Sequence, residues 1–401
     1  MPADNALAVA TQEATDKDSN KSLRQTASGT AVAIRKQAEP ANGYRDRVSV
    51  TIEGHLHRDW TRFSLDSDLF TPADAWSVSL GIPAAQIPGY VRPWAKAEVR
   101  VGDSLALTGR VDALRRRISR DGLELSLSGR DGAGILLDCS APVFTQREVA
   151  VDEVCASMVR PLGVDKIDVQ PGGAAFKKVS IEPGMTAWEA LQRAAEASGL
   201  WPWFTPDGTL KVAAPDYSRA VDAELVCAFD GTKNNVISIE MEESCNRRHS
   251  EVTVLGQSTG GEDDEAQTTI RATVKDGGAW FYRPLIRDEG HVDSVAMART
   301  RARKIITDGV FDSLTFTAVV HGHRTDSGAL WEPGMHIRLR VEKLCDISLL
   351  LARRTLTGGR EGRTTTLTLK PWGVWLPDTA KKPKKRKKKS DGDEMDFDLE
   401  P

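Results

Sequence analysis

The sequence predicts a mainly β protein of the α+β class. It predicts two β-barrel-like, tube-like domains, a small α/β module between them and a helix-containing insertion in the second barrel. Three observations predict this class. Short runs of alternating apolar and polar residues dominate the first and last thirds of the chain, as in half-buried strands. Apolar residues at helical spacing concentrate at 145–215. Turns such as Arg120-Asp121-Gly122 separate several of the runs.

The first predicted barrel covers residues 46–144. Val48, Val50 and Ile52 alternate with polar residues and predict its opening strand. Further strands are predicted at Trp76–Leu80, Glu98–Val101, Leu105–Thr108, Leu114–Ser119 and Leu123–Ser128. The last two flank Asp121-Gly122, a dipeptide that suits the positive-φ positions of a tight hairpin.

The α/β module is predicted at 145–215. One helix is predicted from the apolar spacing of Val151–Val159, and a second begins where Thr186 and Glu189 form a capping box. A hairpin follows at 201–212, turning at Asp207-Gly208. We expect Trp201 and Trp203 in its core; the alternative is a carbohydrate platform.

The second predicted barrel covers 216–375 and carries an insertion around 257–308. Its strands are predicted at 236–241, Glu251–Leu255, Leu314–Val320, Met335–Val341, Ile347–Arg353 and Thr364–Leu369. The insertion contains a polar loop and a helix predicted from Val292 to Thr307. That helix carries four cations, which we expect on a solvated face; the alternative is contact with a phosphate backbone. They are Arg299, Arg301, Arg303 and Lys304, with Val295, Ala298, Ala302 and Ile305 expected on the buried face.

Residues 105–130 resemble residues 348–370. Each segment runs from a strand through a small residue with Arg-Arg and a glycine-containing turn into a second alternating strand. Each follows a short strand and a tryptophan, Trp94 or Trp331. Two explanations stay open: two related barrels within one chain, or a coincidental likeness between two hairpins.

Composition excludes several classes of protein. The 401 residues include 54 Lys and Arg against 57 Asp and Glu, a net charge of -3, which excludes a globally basic nucleic-acid binder. No apolar stretch approaches the roughly 18 residues of a membrane helix, and no secretory signal is visible. The five cysteines form no CxxC pair, so we expect free thiols.

The two ends differ from the body in composition. Residues 1–45 lack apolar periodicity and are predicted to be a disordered arm. The tail at 376–401 places eight basic residues in Lys381–Lys389 before six acidic ones and is also predicted to be disordered. A solvated linker is the expectation for the basic run; contact with DNA or an acidic protein surface is the alternative.

No catalytic, cofactor-binding or metal-binding residue is predicted. The sequence contains no GxSxG, Walker or HExxH motif, and the glycines of GRDGAG at 129–134 are misplaced for dinucleotide binding. His321 and His323 fall on one side of a predicted strand and would need a third ligand to hold a metal; a solvated strand end is the expectation. The sequence therefore indicates a protein that is not an enzyme.

Several motifs, taken in order, resemble a known family. They are VSVTIEG at 48–54, LTGRVD at 107–112, SGR at 128–130, LDCSA at 137–141, PLGV at 161–164 and EPGMT at 182–186. This order is similar to that of the baseplate hub proteins of contractile-tailed, Mu-like phages, in the late-control/hub superfamily. The resemblance covers about 46–375, and its motifs are structural. The arm and the Lys-rich tail depart from the family pattern, so nothing is carried over to them.

The resemblance implies a homotrimeric ring whose six barrels match a hexameric tail tube on one side and a trimeric central spike on the other. It implies as partners the central spike protein, the tail tube or tube-initiator protein, the baseplate wedge proteins and the tape measure protein. DNA would pass through transiently and non-specifically, without membrane insertion or cofactor. The location implied is the virion baseplate, after assembly in the host cytoplasm.

An alternative function is a tail-associated peptidoglycan-binding or cell-wall hydrolase protein. Its module at 145–215 would be expected to carry a histidine or carboxylate signature, and this range contains no histidine. The related spike-hub of a contractile secretion system is a further alternative.

Overall fold

The structure is a computed structural model that describes residues 46–377, apart from 83–87, 121, 147, 172–178, 182, 257–269, 290–291, 293 and 360–361. The N-terminal arm, the Lys381–Lys389 run and the polar loop of the insertion lie outside the described residues, so the predictions for them stay predictions. Among the helices of the described part, none has the length and apolar character that crossing a membrane requires.

Seven strands form the first part of the chain: β1 Val48–Ile52, β2 His55–His57, β3 Arg62–Asp68, β4 Ala75–Ile82, β5 Lys96–Val101, β6 Ser104–Ser119 and β7 Gly122–Asp131. The middle part contains α1 Ala133–Asp138, β8 Thr145–Gln146, α2 Val151–Val159, a 3-10 turn Arg160–Leu162, β9 Ile167–Val169, β10 Val179–Ser180, α3 Ala187–Ala197, β11 Trp201–Phe204 and β12 Leu210–Ala213. The last part contains β13 Ala223–Cys227, β14 Ser238–Glu243, β15 Glu251–Gly256, β16 Ile270–Lys275, β17 Pro284–Asp288, α4 Val295–Ser313, β18 Leu314–His321, β19 His336–Val341, β20 Cys345–Gly359 and β21 Gly362–Pro371.

One sheet of 13 strands organises the molecule, and the mainly β prediction is confirmed. Its order is β14-β18-β21-β20-β3-β4-β7-β6-β5-β1-β2, with β19 on β20 and β13 on β19. Neighbours are antiparallel except β13 and β19, which are parallel. The described strands do not close into a ring, because the path ends at β14 and at β2. Instead, pairing of β3 with β20 joins the two predicted barrels into one sheet.

The internal repeat is confirmed by strand pairing that recurs 240 residues later. Arg115 faces Ser126 in the β6–β7 hairpin, and Thr355 faces Thr366 in the β20–β21 hairpin. Each long strand has a bulge at the same point, between Val111 and Ala113 in β6 and between Leu351 and Arg353 in β20. Coincidental likeness of two hairpins does not account for a shared bulge, turn length and flanking strands.

The same shift relates the loops before each long strand. The Trp94 amide donates to the Val111 carbonyl, and the Gly334 amide donates to the Leu351 carbonyl. Both residues have positive φ, 74° and 92°. Gly334 is therefore the counterpart of Trp94, and Trp331 lies three positions before it.

The module forms as its capping signals predict. The Thr186 hydroxyl accepts from the Glu189 amide at 3.1 Å and the Glu189 carboxylate accepts from the Thr186 amide at 3.0 Å, which fixes the start of α3. Helices α2 and α3 pack against the three-stranded sheet β11-β12-β9 around a buried core that includes Met158, Leu191 and Leu210.

The insertion is a second small layer, with α4 covering one face of the sheet β16-β15-β17. Its helix begins at Val295 and ends at Ser313, so the predicted end at Thr307 is wrong. Ala298 and Ala302 are buried as predicted, whereas Val295 is 49% exposed and Ile306 is the buried isoleucine. The buried residues of α4 extend past the predicted end to Gly309 and Phe311, because the helix continues up to the start of β18.

Several strands differ from their predicted bounds. The two strands predicted at 105–108 and 114–119 are one bulged strand, β6, and β20 continues to Gly359. Strands β3, β13, β16 and β17 were not predicted, since their apolar alternation is short or interrupted by polar residues.

Candidate assembly surface

Eight strands of the large sheet, from β14 to β6, present one face to the apolar cores of the two halves and the other away from those cores. Along β4, for example, Trp76 and Val78 are buried and Ser77 is exposed. The exception is the end near α4, where Lys370 lies over the Phe311 ring and donates to the Thr315 hydroxyl. The face away from the cores carries many serine and threonine side chains, and we call it the hydroxyl face. It carries Ser64, Ser77, Ser79, Ser126, Ser128, Thr315, Thr317, Thr355, Thr357, Thr364, Thr366 and Thr368.

Strand register aligns these hydroxyls in rows. Thr364, Thr357, Ser64, Ser77 and Ser128 are successive partners across five strands, which span both halves of the sheet. Such a surface is polar, and its hydroxyls are neutral hydrogen-bonding groups rather than fixed charges. It therefore suits contact with water and weak, transient contact with a polyanion.

The two halves of the hydroxyl face meet at an ion pair. Arg353 of β20 donates from Nε and Nη2 to the two oxygens of Asp66 on β3, at 2.8 and 2.7 Å. The Thr355 hydroxyl donates to the same carboxylate at 2.7 Å. Planar, two-pronged pairing of this kind fixes the register of the strands it joins.

Beneath this junction lies a buried polar network. The side chain of Arg354 is 1% exposed and donates to the Trp331 and Ala106 carbonyls, the latter at 3.3 Å. Burial raises the pKa of the nearby Asp74 to about 6, although Ser67 and Arg354 oppose the shift. Burial, together with Asp74, also raises the pKa of Asp131. The network holds core residues of both halves at fixed positions.

The eight-stranded segment has edges of opposite charge. At one end, β14 pairs only with β18 among the described strands and carries Glu240, Glu242 and Glu243 on an exposed strand. At the other end, the second half of β6, Ala113–Ile118, pairs with β7, while its pairing with β5 stops at Arg110. This edge has no partner among the described strands and carries Arg115, Arg116 and Arg117, all exposed.

The expectation that His321 and His323 lie at a solvated strand end is confirmed for His321 and wrong for His323. His321 ends β18 and is exposed, whereas His323 is fully buried and its Nδ1 lies 3.0 Å from the Thr365 hydroxyl. Burial lowers the pKa of His323 to about 4. Within the described ranges, no group of three or more His, Cys, Asp or Glu side chains could hold a metal ion.

The other singled-out residues have structural contacts. Trp201 is buried as predicted, but in an aromatic cluster with Trp375 and Phe311 rather than in the module's own core, and Trp203 is partly buried against that cluster. The Trp201 indole donates to the Leu69 carbonyl at 2.7 Å. Of the α4 cations, Arg301 pairs with Glu289 at 2.7 Å and Lys304 with Asp308.

The glycine-rich segment at 129–134 serves strand packing. A Cβ at Gly129 would lie 1.9 Å from the Arg110 carbonyl, so only glycine fits there. Sequence reasoning missed Asp66, Arg353 and Arg354, although the Arg-Arg of the repeat was the available signal.

Four family models match consecutive parts of the chain. "Mu phage baseplate assembly protein GpP-like, N-terminal" matches 47–131, and "Baseplate hub protein gp44-like, second domain" matches 133–214. "Tail protein NMB1110-like, third domain" matches 248–306, and "Tail protein, C-terminal domain" matches 308–374.

Individual relatives agree with these models. The tail protein of Neisseria meningitidis MC58 is 33% identical, with 83% of this chain and 98% of that chain covered and a TM-score of 0.73. The 43 kDa tail protein of prophage MuSo2 from Shewanella oneidensis is 21% identical, with 82% and 99% covered and a TM-score of 0.72. Baseplate hub protein gp44 of Escherichia phage Mu is 26% identical over 339 residues, 81% of this chain and 87% of that protein.

Fold and relatives together define a structural protein of a phage tail. Within that class, the chain belongs to the baseplate hub protein family of Mu-like phages.

Proposed function

We propose that three copies of this chain form a ring at the centre of the baseplate, with the hydroxyl face lining a channel for DNA. The observation that carries the proposal is the 240-residue recurrence of strand pairing within one continuous sheet. Each chain supplies two similar four-stranded sets, β14-β18-β21-β20 and β3-β4-β7-β6. Three chains therefore supply six similar sets, and a heterologous contact that closes after three copies gives such a ring.

The two symmetries of this ring explain its place in the tail. Six similar sets match a hexameric tail tube, or its initiator protein, on one side. The three identical insertions and modules match a trimeric central spike on the other side. Baseplate wedge proteins would bind the outer surface of the ring. One end of the tape measure protein would lie at the channel until DNA passes through.

The hydroxyl face supports a role in DNA passage. Tight binding of DNA phosphates requires clustered Lys and Arg, and its strength falls steeply with salt. Along the row from Thr364 to Ser128 no residue is charged, and Arg353 is neutralised by Asp66. Exposed arginines of this face lie at its β6 edge, and exposed glutamates lie at its β14 edge. DNA would slide past such a wall without being held.

The proposal includes the domain division at 46–144, 145–215 and 216–375, the non-enzymatic role and assembly in the host cytoplasm before incorporation into the virion. The peptidoglycan-binding alternative gains no support from the module. Of the two tryptophans that could form a platform, Trp201 is buried and Trp203 is partly buried against the same aromatic cluster, so they do not form an open surface for a sugar.

Light scattering coupled to size-exclusion chromatography, with negative-stain imaging of the peak, tests the proposal. We expect three times the 43.8 kDa mass of one chain, and rings with a central hole. A monomer at micromolar concentration, or a compact trimer without a hole, would overturn it.

A further inference from the structure

We propose that neighbouring subunits join by antiparallel pairing of the Ala113–Ile118 segment of β6 with β14 of the next copy. The register places Arg115 opposite Glu242 and Arg117 opposite Glu240. This inference rests on the proposed ring and adds the partner surface and its register.

The internal junction supplies the template. In β20, the segment Arg353–Gly358 lies after the bulge and pairs with β3, so that Thr355 faces Asp66 and Thr357 faces Ser64. In β6, the equivalent segment Ala113–Ile118 also lies after the bulge, but it has no strand on that side in the described part of the chain. Of the two equivalent strand edges, that of β20 is paired with β3 within the chain, and that of β6 has no partner among the described strands.

Strand β14 is the counterpart of β3. Ser64 of β3 faces Ser77 of β4, and Glu240 of β14 faces Thr317 of β18, where Thr317 is the counterpart of Ser77. By the same register, Glu242 is the counterpart of Asp66. If β6 takes the place of β20, and β14 of the next copy takes the place of β3, the register of the internal junction puts Arg115 opposite Glu242 and Arg117 opposite Glu240.

Strand direction is compatible with this pairing. Every neighbouring pair from β14 to β6 is antiparallel, and this segment contains an even number of strands. Its two outer strands consequently run in opposite directions. Identical segments placed side by side in a ring then meet as antiparallel neighbours, as β3 and β20 do within the chain.

Charge favours the proposed register on one face. Opposite charges directly across an antiparallel pair stabilise it, and like charges oppose it. Within the described residues, Arg115, Arg117 and Glu240 form no ion pair, although Glu124 of β7 lies directly opposite Arg117 in the β6–β7 hairpin. Burial lowers the pKa of Lys370, and the nearby carboxylates of Asp312 and Glu242 oppose that shift.

The other face of the same pairing covers apolar surface. Ile118 is 83% exposed, and the register places it opposite Ile239, which packs at the margin of the second core. The equivalent internal position pairs Gly358 with Phe63. Exposed charges on sheet edges also prevent wrong pairing, but that role requires neither opposite signs on the two edges nor a matching register.

Disulfide trapping tests the register. In a Cys245→Ser background, Arg117→Cys combined with Glu240→Cys should give covalent dimers and trimers on non-reducing gels after mild oxidation. The control combines Arg115→Cys with Glu240→Cys. This pair is diagonal in the proposed register and too far apart for a disulfide, so we expect about tenfold less product.

Light scattering on the same samples separates the two proposals. A trimer with strong cross-linking of the 117/240 pair supports the pairing. A trimer in which both pairs cross-link equally, or neither does, overturns the pairing and leaves the ring. A monomer overturns the ring, and the pairing with it.

Charge reversal gives an independent readout. Arg115→Glu with Arg117→Glu should raise the concentration needed for half-assembly by about tenfold or more, because like charges then face each other. Glu240→Arg with Glu242→Arg should do the same. Combining all four substitutions should restore assembly, whereas an additive loss would overturn the pairing.

Discussion

Arg353 and Asp66 join the two halves of the sheet, with the guanidinium donating to both carboxylate oxygens at 2.8 and 2.7 Å. The two residues are 287 positions apart in the sequence. This pair therefore links the two four-stranded sets along the hydroxyl face. Because the internal junction is also the template for the contact between subunits, its energetics bear on the whole assembly.

Asp66→Asn should lower the free energy of unfolding by about 1–2 kcal/mol, because Asp66 accepts three charge-assisted hydrogen bonds across the junction. Urea denaturation measures this. Asp346→Asn is the matched control, since Asp346 accepts a similar two-pronged pair from Arg338 between β19 and β20. We expect a clearly smaller loss for the control, because solvent screens this exposed pair. Equal losses in the two variants would contradict the special role of the junction.

Arg354→Met should cost about 3–5 kcal/mol, because it leaves buried carbonyls and the Asp74 carboxylate without their cation. Arg353→Met, one residue away on an exposed face, should cost about 1 kcal/mol. Thermal and urea unfolding of both variants at one pH check the difference. Similar stabilities for the two variants would show that the buried network contributes little.

Asp74→Asn should change the pH dependence of stability. Because burial raises the pKa of Asp74 to about 6, the folded state binds its proton more tightly than the unfolded chain does. This contribution is fully present below about pH 4 and is lost as pH rises through about 6. Relative to the variant, the wild-type protein should gain about 1–3 kcal/mol between pH 7 and pH 4.

The comparison with the variant at each pH is needed because His323 acts in the opposite direction. Burial lowers its pKa to about 4, so its contribution is lost as pH falls from about 6.5 toward 4. Denaturant unfolding at four pH values gives the difference curve. A flat difference between wild type and Asp74→Asn would contradict the assignment.

Trp94→Gly should be more stable than Trp94→Ala by about 1 kcal/mol, the reverse of the usual order of these residues. Trp94 has φ of 74°, and its repeat counterpart is Gly334. Both variants lose the contact of the Trp94 ring with Arg110, so that loss cancels in the comparison. Thermal melts suffice, and an alanine variant more stable than the glycine variant would contradict the strain.

Local patterns predicted much of the fold. Alternation and the Asp121-Gly122 turn predicted the β6–β7 hairpin, and the capping box predicted the start of α3. Both depend on residues close together in the chain. The repeat was visible because the Arg-Arg and turn signals recur in both hairpins.

The hydroxyl face and the β3–β20 junction could not be predicted from local sequence patterns. Pairing of β3 with β20 depends on which strand edges remain open after both hairpins form, and no local pattern encodes that choice. The burial of Arg354 follows from the same long-range pairing. The hydroxyl rows likewise emerge only when the registers of five strands are known.

A reconstruction of the assembled protein by electron cryomicroscopy, at a resolution that separates strands, tests whether the hydroxyl face lines the channel of a three-subunit ring. We expect three subunits around a channel whose wall carries Ser64, Ser77 and Thr357, with β14 of each subunit beside β6 of its neighbour. A ring that turns this hydroxyl face outward, or that covers it with another part of the chain, would contradict the account.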